Sequence, residues 1–302
     1  MTTTASTKTN KVPSSPAPNH AAPAVPQQHV LKRWLTTSSS SVGKHPLHLL
    51  TERAGARATV IDEVRDVVRA HYVSLETTAK RLAELGAPKT AELLLEHVPK
   101  RKRARSGDLG EVLATEVAEQ TLSFTVPIRR LRWKDGREMA LRGDDIVGVR
   151  VAKSGKLDFL KGESKSRATL STDVLNEAGR ALDRDGGRPS RHAVLFVAER
   201  LRELGDDALA LRLEKAVLDS FSGSGVEHFL LALTGGDPKN LLNAHLTAAA
   251  TKQQTLHTVG VRIGDRGRTV VALADGRGPW SSRASPRQGV GARSDLARWK
   301  PS

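Results

Sequence analysis

The stretch that decides the fold is 157–165, LDFLKGESK, read together with 143–149, GDDIVGV. Both are mainly apolar, and the intervening Ser154-Gly155 is a hairpin-type turn signal, so they read as neighbouring antiparallel strands over 138–151 and 157–163. Side chains along a strand alternate between faces, so Glu163 and Lys165 share one face while Ser164 points away. Asp145 falls on the adjacent strand, which places its carboxylate near Glu163.

Working outward, a helix is expected over 108–122, with Leu109, Val112, Leu113, Val117 and Leu122 on its apolar side and Glu111 after Gly107-Asp108-Leu109-Gly110. A strand over 124–133 follows, ended by the Asp135-Gly136 turn signal. Beyond the Glu-Ser-Lys strand come a helix over 172–183, Gly186-Gly187 and Pro189, and the apolar run HAVLFVA at 192–198, which suits a strand covered on both faces. A helix over 201–218, strands over 226–233, 257–263 and 269–274, and a helix around 238–250 complete the pattern. Residues 106–275 therefore read as an α/β domain with a mixed sheet flanked by helices.

Upstream, residues 59–98 carry apolar residues at helical spacing, interrupted by Gly86 and Pro88, which predicts a small helical unit. Together with a basic linker at 100–105 it forms a segment 46–105. Residues 1–45 and 276–302 read as disordered basic tails, too poor in apolar residues to offset the entropy of ordering. The chain of 302 residues holds 48 Lys and Arg against 33 Asp and Glu, a net charge of +15. That excess divides equally among residues 1–50, 100–105 and 276–302, leaving the rest neutral. The tails suit contact with a phosphate backbone, and equally a solubilising role.

The absence of cysteine excludes disulfides, thiolate metal sites and a cysteine nucleophile. No apolar run is long enough to span a bilayer and the first residues lack a secretory apolar region, so a cytoplasmic protein without membrane contact is expected. No Walker-type phosphate loop is present. The histidines show no metal spacing on one element, and His71, His97 and His192, each beside apolar residues, read as structural.

What remains is the ordered set Glu111, Asp145, Glu163 and Lys165. Carboxylates gathered at one spot repel one another unless a cation compensates, and oxygen donors without His or Cys suit Mg²⁺ or Mn²⁺. A lysine beside them serves the attacking water of a phosphodiester hydrolysis. Asp144 is an alternative to Asp145, since a bulge would exchange their faces. The same acids also read as solvated charges at a strand edge. Arg129, Arg130, Arg132 and Lys134 suit phosphates or a solvated strand face, and Asn176 and Arg180 could face the groove of Lys165.

An acid-bearing helix followed by Asp and then Glu-x-Lys on adjacent strands resembles the PD-(D/E)XK nuclease superfamily. More narrowly, 107–111 (GDLGE), 143–145 (GDD), 162–165 (GESK) and the run 192–198 resemble the nuclease subunits of Hachiman anti-phage defence systems. The resemblance covers 106–200 well and extends loosely to 275. It implies a restriction-endonuclease-like fold, Mg²⁺-dependent cleavage or nicking of DNA, and a helicase-like partner that gates it. By position it implies that Glu111, Asp145 and Glu163 hold metal and that Lys165 serves the water; the family pattern favours Asp145 over Asp144. The competing reading is a catalytically silent nucleic-acid-binding or adaptor protein of the same fold.

Overall fold

The computed structural model describes residues 29–141 and 143–265. In chain order these form α1 (Val30–Trp34), β1 (Leu35–Val42), β2 (His45–Glu52), α2 (Ala56–Tyr72), α3 (Leu75–His97), α4 (Lys102–Gln120), β3 (Ile146–Val151), β4 (Leu157–Ser166), α5 (Thr172–Asp183), α6 (Arg191–Glu203), α7 (Asp207–Leu218), β5 (Val226–Thr234), α8 (Lys239–Ala248) and β6 (Leu256–Arg262). Short 3-10 turns occupy Arg130–Trp133 and Arg184–Gly187. The six strands make one mixed sheet in the order β1-β2-β6-β5-β4-β3. Its inner strands β2, β6, β5 and β4 run parallel, and β1 and β3 close the edges antiparallel.

Both faces of the sheet are covered. On one, α4, α2 and Trp34 pack over Leu160, Phe229, Leu231, Val259 and Val261. On the other, α6 and α7 cover Val147, Val149 and Phe159, while α5 and α8 cover Leu230, Ala232 and Leu256. Two glycines permit close approaches around β4. A Cβ on Gly110 of α4 would stand 2.7 Å from Ser164 Oγ, and one on Gly162 of β4 would stand 2.6 Å from Ile146 Cβ.

A polar row crosses the sheet at the end where β4 begins, with one residue from each strand. Arg150 (β3) pairs with Asp158 (β4) at 3.5 Å and Glu227 (β5) at 2.7 Å, and Glu227 pairs with His257 (β6) at 2.5 Å. His257 in turn faces His48 (β2), whose Nδ1 lies 2.9 Å from Ser39 Oγ (β1).

Several expectations need correction. The run 192–198 is helix α6, not a strand: Ala193, Val194, Val197, Ala198 and Leu201 are buried at helical spacing while Leu195 and Glu199 face out. Ser190 caps it, its Oγ accepting from Ala193 N at 3.2 Å. A short apolar run does not by itself distinguish a buried helix from a buried strand. Residues 124–133 form no strand beyond a bridge from Thr125 to Val149, because Pro127 has no N–H to donate and the chain then turns through Arg130–Trp133. The strand expected over 138–151 begins only at Ile146.

Residues 29–45 are ordered rather than part of a tail. Trp34 is fully buried, and the polar tract Ser38 to Ser41 lies in the edge strand β1, where water solvates the side chains and β2 pairs the backbone. The division at 45/46 thus falls inside a hairpin belonging to the sheet. The basic run 100–105 leads directly into α4 instead of linking domains, and Glu138 accepts from the main-chain N–H of Lys100 and Arg101 at its start. The helical unit is α2 and α3, the latter kinked at Gly86 (φ 75°). The expectations for 1–28, 269–274 and 276–302 fall outside the described residues. Among the described residues no helix is long and apolar enough to cross a membrane.

Candidate active site

The site lies where β4 outruns its edge partner. Pairing of β3 with β4 stops at Ile146 opposite Gly162, leaving Glu163 to Ser166 bonded to β5 only. Asp145, the residue before β3, turns its side chain into this gap, and its Oδ2 accepts from Ser164 N at 2.9 Å. Strand alternation puts Lys165 beside Glu163, Nζ to Oε1 at 2.9 Å, and Glu177 of α5 takes the same ammonium at 2.7 Å. Ser164 points to the opposite face, against Gly110, and the next residue of α4 is Glu111. The tight packing at Gly110 therefore carries Glu111 toward Asp145. The site occupies the carboxyl end of a parallel strand, where open α/β sheets place their ligands.

The electrostatics set these acids apart. Burial, and then the neighbouring Asp145 carboxylate, pushes Glu111 up to about 8 and Glu163 up to about 7. Asp145 is raised as well, burial outweighing the Ser164 N–H and the charges of Arg130 and Lys165. Burial would lower the Lys165 ammonium, but its bonds to Glu177 and Glu163 hold it raised. Lys165 is thus a fixed cation beside Glu163, and Glu111, Asp145 and Glu163 are together short of positive charge.

Asp144 serves a different purpose. Its Oδ2 accepts from Ser190 N at 2.7 Å, its Oδ1 lies 3.6 Å from the buried Lys161 Nζ, and its main-chain oxygen accepts from Arg130. It ties the approach to β3 to α6 and β4, whereas Asp145 meets the glutamates. Among the described residues, no three acids or histidines converge into a set that holds a metal ion as they stand.

The family model of HamA matches residues 28–271. The chain belongs to the HamA family. The Hachiman protein HamA of Bacillus cereus is 30% identical over 111 residues, which are 37% of this chain and 38% of that protein. This chain thus spans little more than a third of the length of that curated relative.

Other residues of this HamA-family site escaped sequence reasoning. Asp108, one helical turn before Glu111, is buried and accepts from Tyr72 Oη at 2.8 Å and Lys134 Nζ at 2.9 Å. That locks the end of α2 to the helix bearing Glu111. Of the four bases considered for phosphate contact, Arg129 pairs with Glu119, Arg132 donates to Ala70 O and Lys134 goes to Asp108. Arg130 acts on Glu111 and Asp145. Glu177, rather than the exposed Asn176 or Arg180, is the α5 residue that meets Lys165. Glu177 was open to sequence reasoning as an acid on the helix expected over 172–183, while nothing local marked the Tyr72–Asp108 pair, whose members lie 36 residues apart.

Proposed function

We propose that this chain is a divalent-metal-dependent deoxyribonuclease with a PD-(D/E)XK-type, restriction-endonuclease-like site, acting in anti-phage defence under the control of a helicase-like partner. The observation that carries the reading is the shortage of positive charge shared by Glu111, Asp145 and Glu163 beside Lys165. Three hard oxygen donors whose protons are held abnormally tightly are the chemistry that a Mg²⁺ or Mn²⁺ ion relieves. Glu111, Asp145 and Glu163 would hold the ion, which supplies Lewis-acid stabilisation of charge developing on a phosphate. Lys165, kept protonated by Glu163 and Glu177, orients the attacking water and offsets negative charge as the phosphodiester is attacked. Arg130 stands where a flanking phosphate would approach. Membership of the HamA family and the similarity to a Hachiman protein support the defence setting.

The test is cleavage of supercoiled plasmid and linear DNA with Mg²⁺, with and without a helicase partner, by the wild-type chain and Glu163→Gln. Metal-dependent cutting that Glu163→Gln abolishes supports the reading. No cutting under any condition, with DNA binding retained, would instead make the chain a silent adaptor of the same fold.

A further inference from the structure

A cavity of about 210 Å³ opens between the Arg130–Trp133 turn and the first turns of α6. Trp133, Phe196 and Met139 give it apolar and aromatic walls, while Arg130, Lys134 and His192 supply polar edges. It is smaller than the roughly 300–1,000 Å³ of pockets for drug-sized ligands, a size suited to one aromatic ring system rather than a base pair. The aromatic wall is braced from within the protein, since the Arg200 guanidinium lies 4.8 Å from the Trp133 ring and 5.4 Å from Phe196. Met139, by contrast, is 58% exposed at the mouth. Arg130 joins pocket and site: it lines the cavity, donates to the main chain of Asp144 and bears on the charges of Glu111 and Asp145.

We infer that this pocket receives an unpaired base of a nucleic-acid strand whose neighbouring phosphodiester lies at the carboxylates. The inference rests on the nuclease reading and adds the form of its substrate. A strand on the site presents phosphates and bases in alternation. Arg130, between the acids and the cavity, meets the phosphate, and the base next along the strand then faces Trp133 and Phe196. Aromatic side chains bind bases by stacking whatever their sequence. A paired base is already stacked and enclosed in its duplex, so the substrate is a single strand, or a duplex opened at this point.

The test is binding of fluorescent dT12, a twelve-residue abasic strand of the same backbone and a 12-bp duplex, by the full chain carrying Glu163→Gln. Wild-type pocket residues should favour dT12 over the abasic strand by about tenfold or more, the difference one or two stacked bases make. Trp133→Leu, which keeps an apolar side chain under Arg200, should erase most of that preference and change duplex binding less than twofold; Trp133→Phe should retain it. Equal binding of dT12 and the abasic strand overturns the inference, as does equal weakening of single-strand and duplex binding by Trp133→Leu. If Trp133→Leu fails to fold, the dT12 comparison on the unaltered pocket still decides. Plasmid cutting without base preference refutes the pocket and leaves the nuclease reading standing. Base preference without cutting by the wild-type chain, with or without a helicase partner, refutes the nuclease reading and leaves the pocket as a binding site.

Discussion

The sheet carries acids at both of its ends, and the two sets behave in opposite ways. Across the polar row, His257 and then Arg150 hold Glu227 down to about 2. At the opposite end, burial and mutual repulsion lift Glu111 to about 8 and Glu163 to about 7. The same residue type on adjacent strands is therefore satisfied by the protein in one place and left wanting charge in the other. A carboxylate that the fold neutralises is part of the structure. One that the fold buries beside others without enough counter-charge sacrifices stability, the pattern expected where a ligand supplies the missing charge.

The largest effect that would break this contrast is on turnover. Glu163→Gln or Asp145→Asn is expected to lower DNA cleavage at least about 100-fold, in line with removal of a group that acts on transition-state charge, while melting temperature stays level or rises. A plasmid-nicking assay beside a thermal melt reads both. Glu227→Ala should do the reverse. Removing the acceptor that His257 and Arg150 share, with only the longer Asp158 contact left to Arg150, is expected to cost about 1–3 kcal/mol in urea unfolding and to change cleavage less than twofold.

The pH dependence sharpens the contrast further, because the slopes have opposite signs. Glu111 and Glu163 titrate above the ordinary value of 4.5, so through that interval the folded chain keeps protons the unfolded chain has released. In chelator, their contribution to stability falls as pH rises from about 4.5 to 8. Mg²⁺ should flatten that slope, and Glu111→Gln with Glu163→Gln should remove it. Glu227 is depressed, so its contribution is complete above the ordinary glutamate range and is lost as pH falls toward 2. Melting curves against pH, with and without Mg²⁺, check both arms. The smallest effect is expected at Glu177, 56% exposed at its side chain. Glu177→Gln should leave Lys165 charged through Glu163 and change the cleavage rate less than about threefold, which a single-turnover time course resolves.

Much of this architecture was legible because its signals are local. The period-two pattern around Glu163 and Lys165 set their shared face, and the stripe from Leu109 to Leu122 set α4. The misreadings share a cause in competition between local and distant partners. HAVLFVA has too few residues to reveal its period, and the cap at Ser190 and the Asp144 carboxylate that fix it as a helix are 46 residues apart. Ser38 to Ser41 lacks apolar content because an edge strand needs little; its order comes from pairing with β2. Asp145 as the acid that meets Glu163 depends on where β3 stops pairing, a register that no spacing within 143–149 reveals. Distances of the same kind concealed Tyr72 behind Asp108.

The hairpin at the start of the described chain also bears on when the molecule becomes whole. Among the described strands, its one ladder beyond itself is with β6, some 210 residues later, while β3 and β4 are joined by a turn of five residues. During synthesis β3 and β4 can pair early, yet the β1–β2 hairpin takes its place in the sheet only after β6 has emerged. α2, which follows that hairpin, clamps α4 through Tyr72 and Asp108. The sheet of a nascent chain is thus complete only once translation has passed β6.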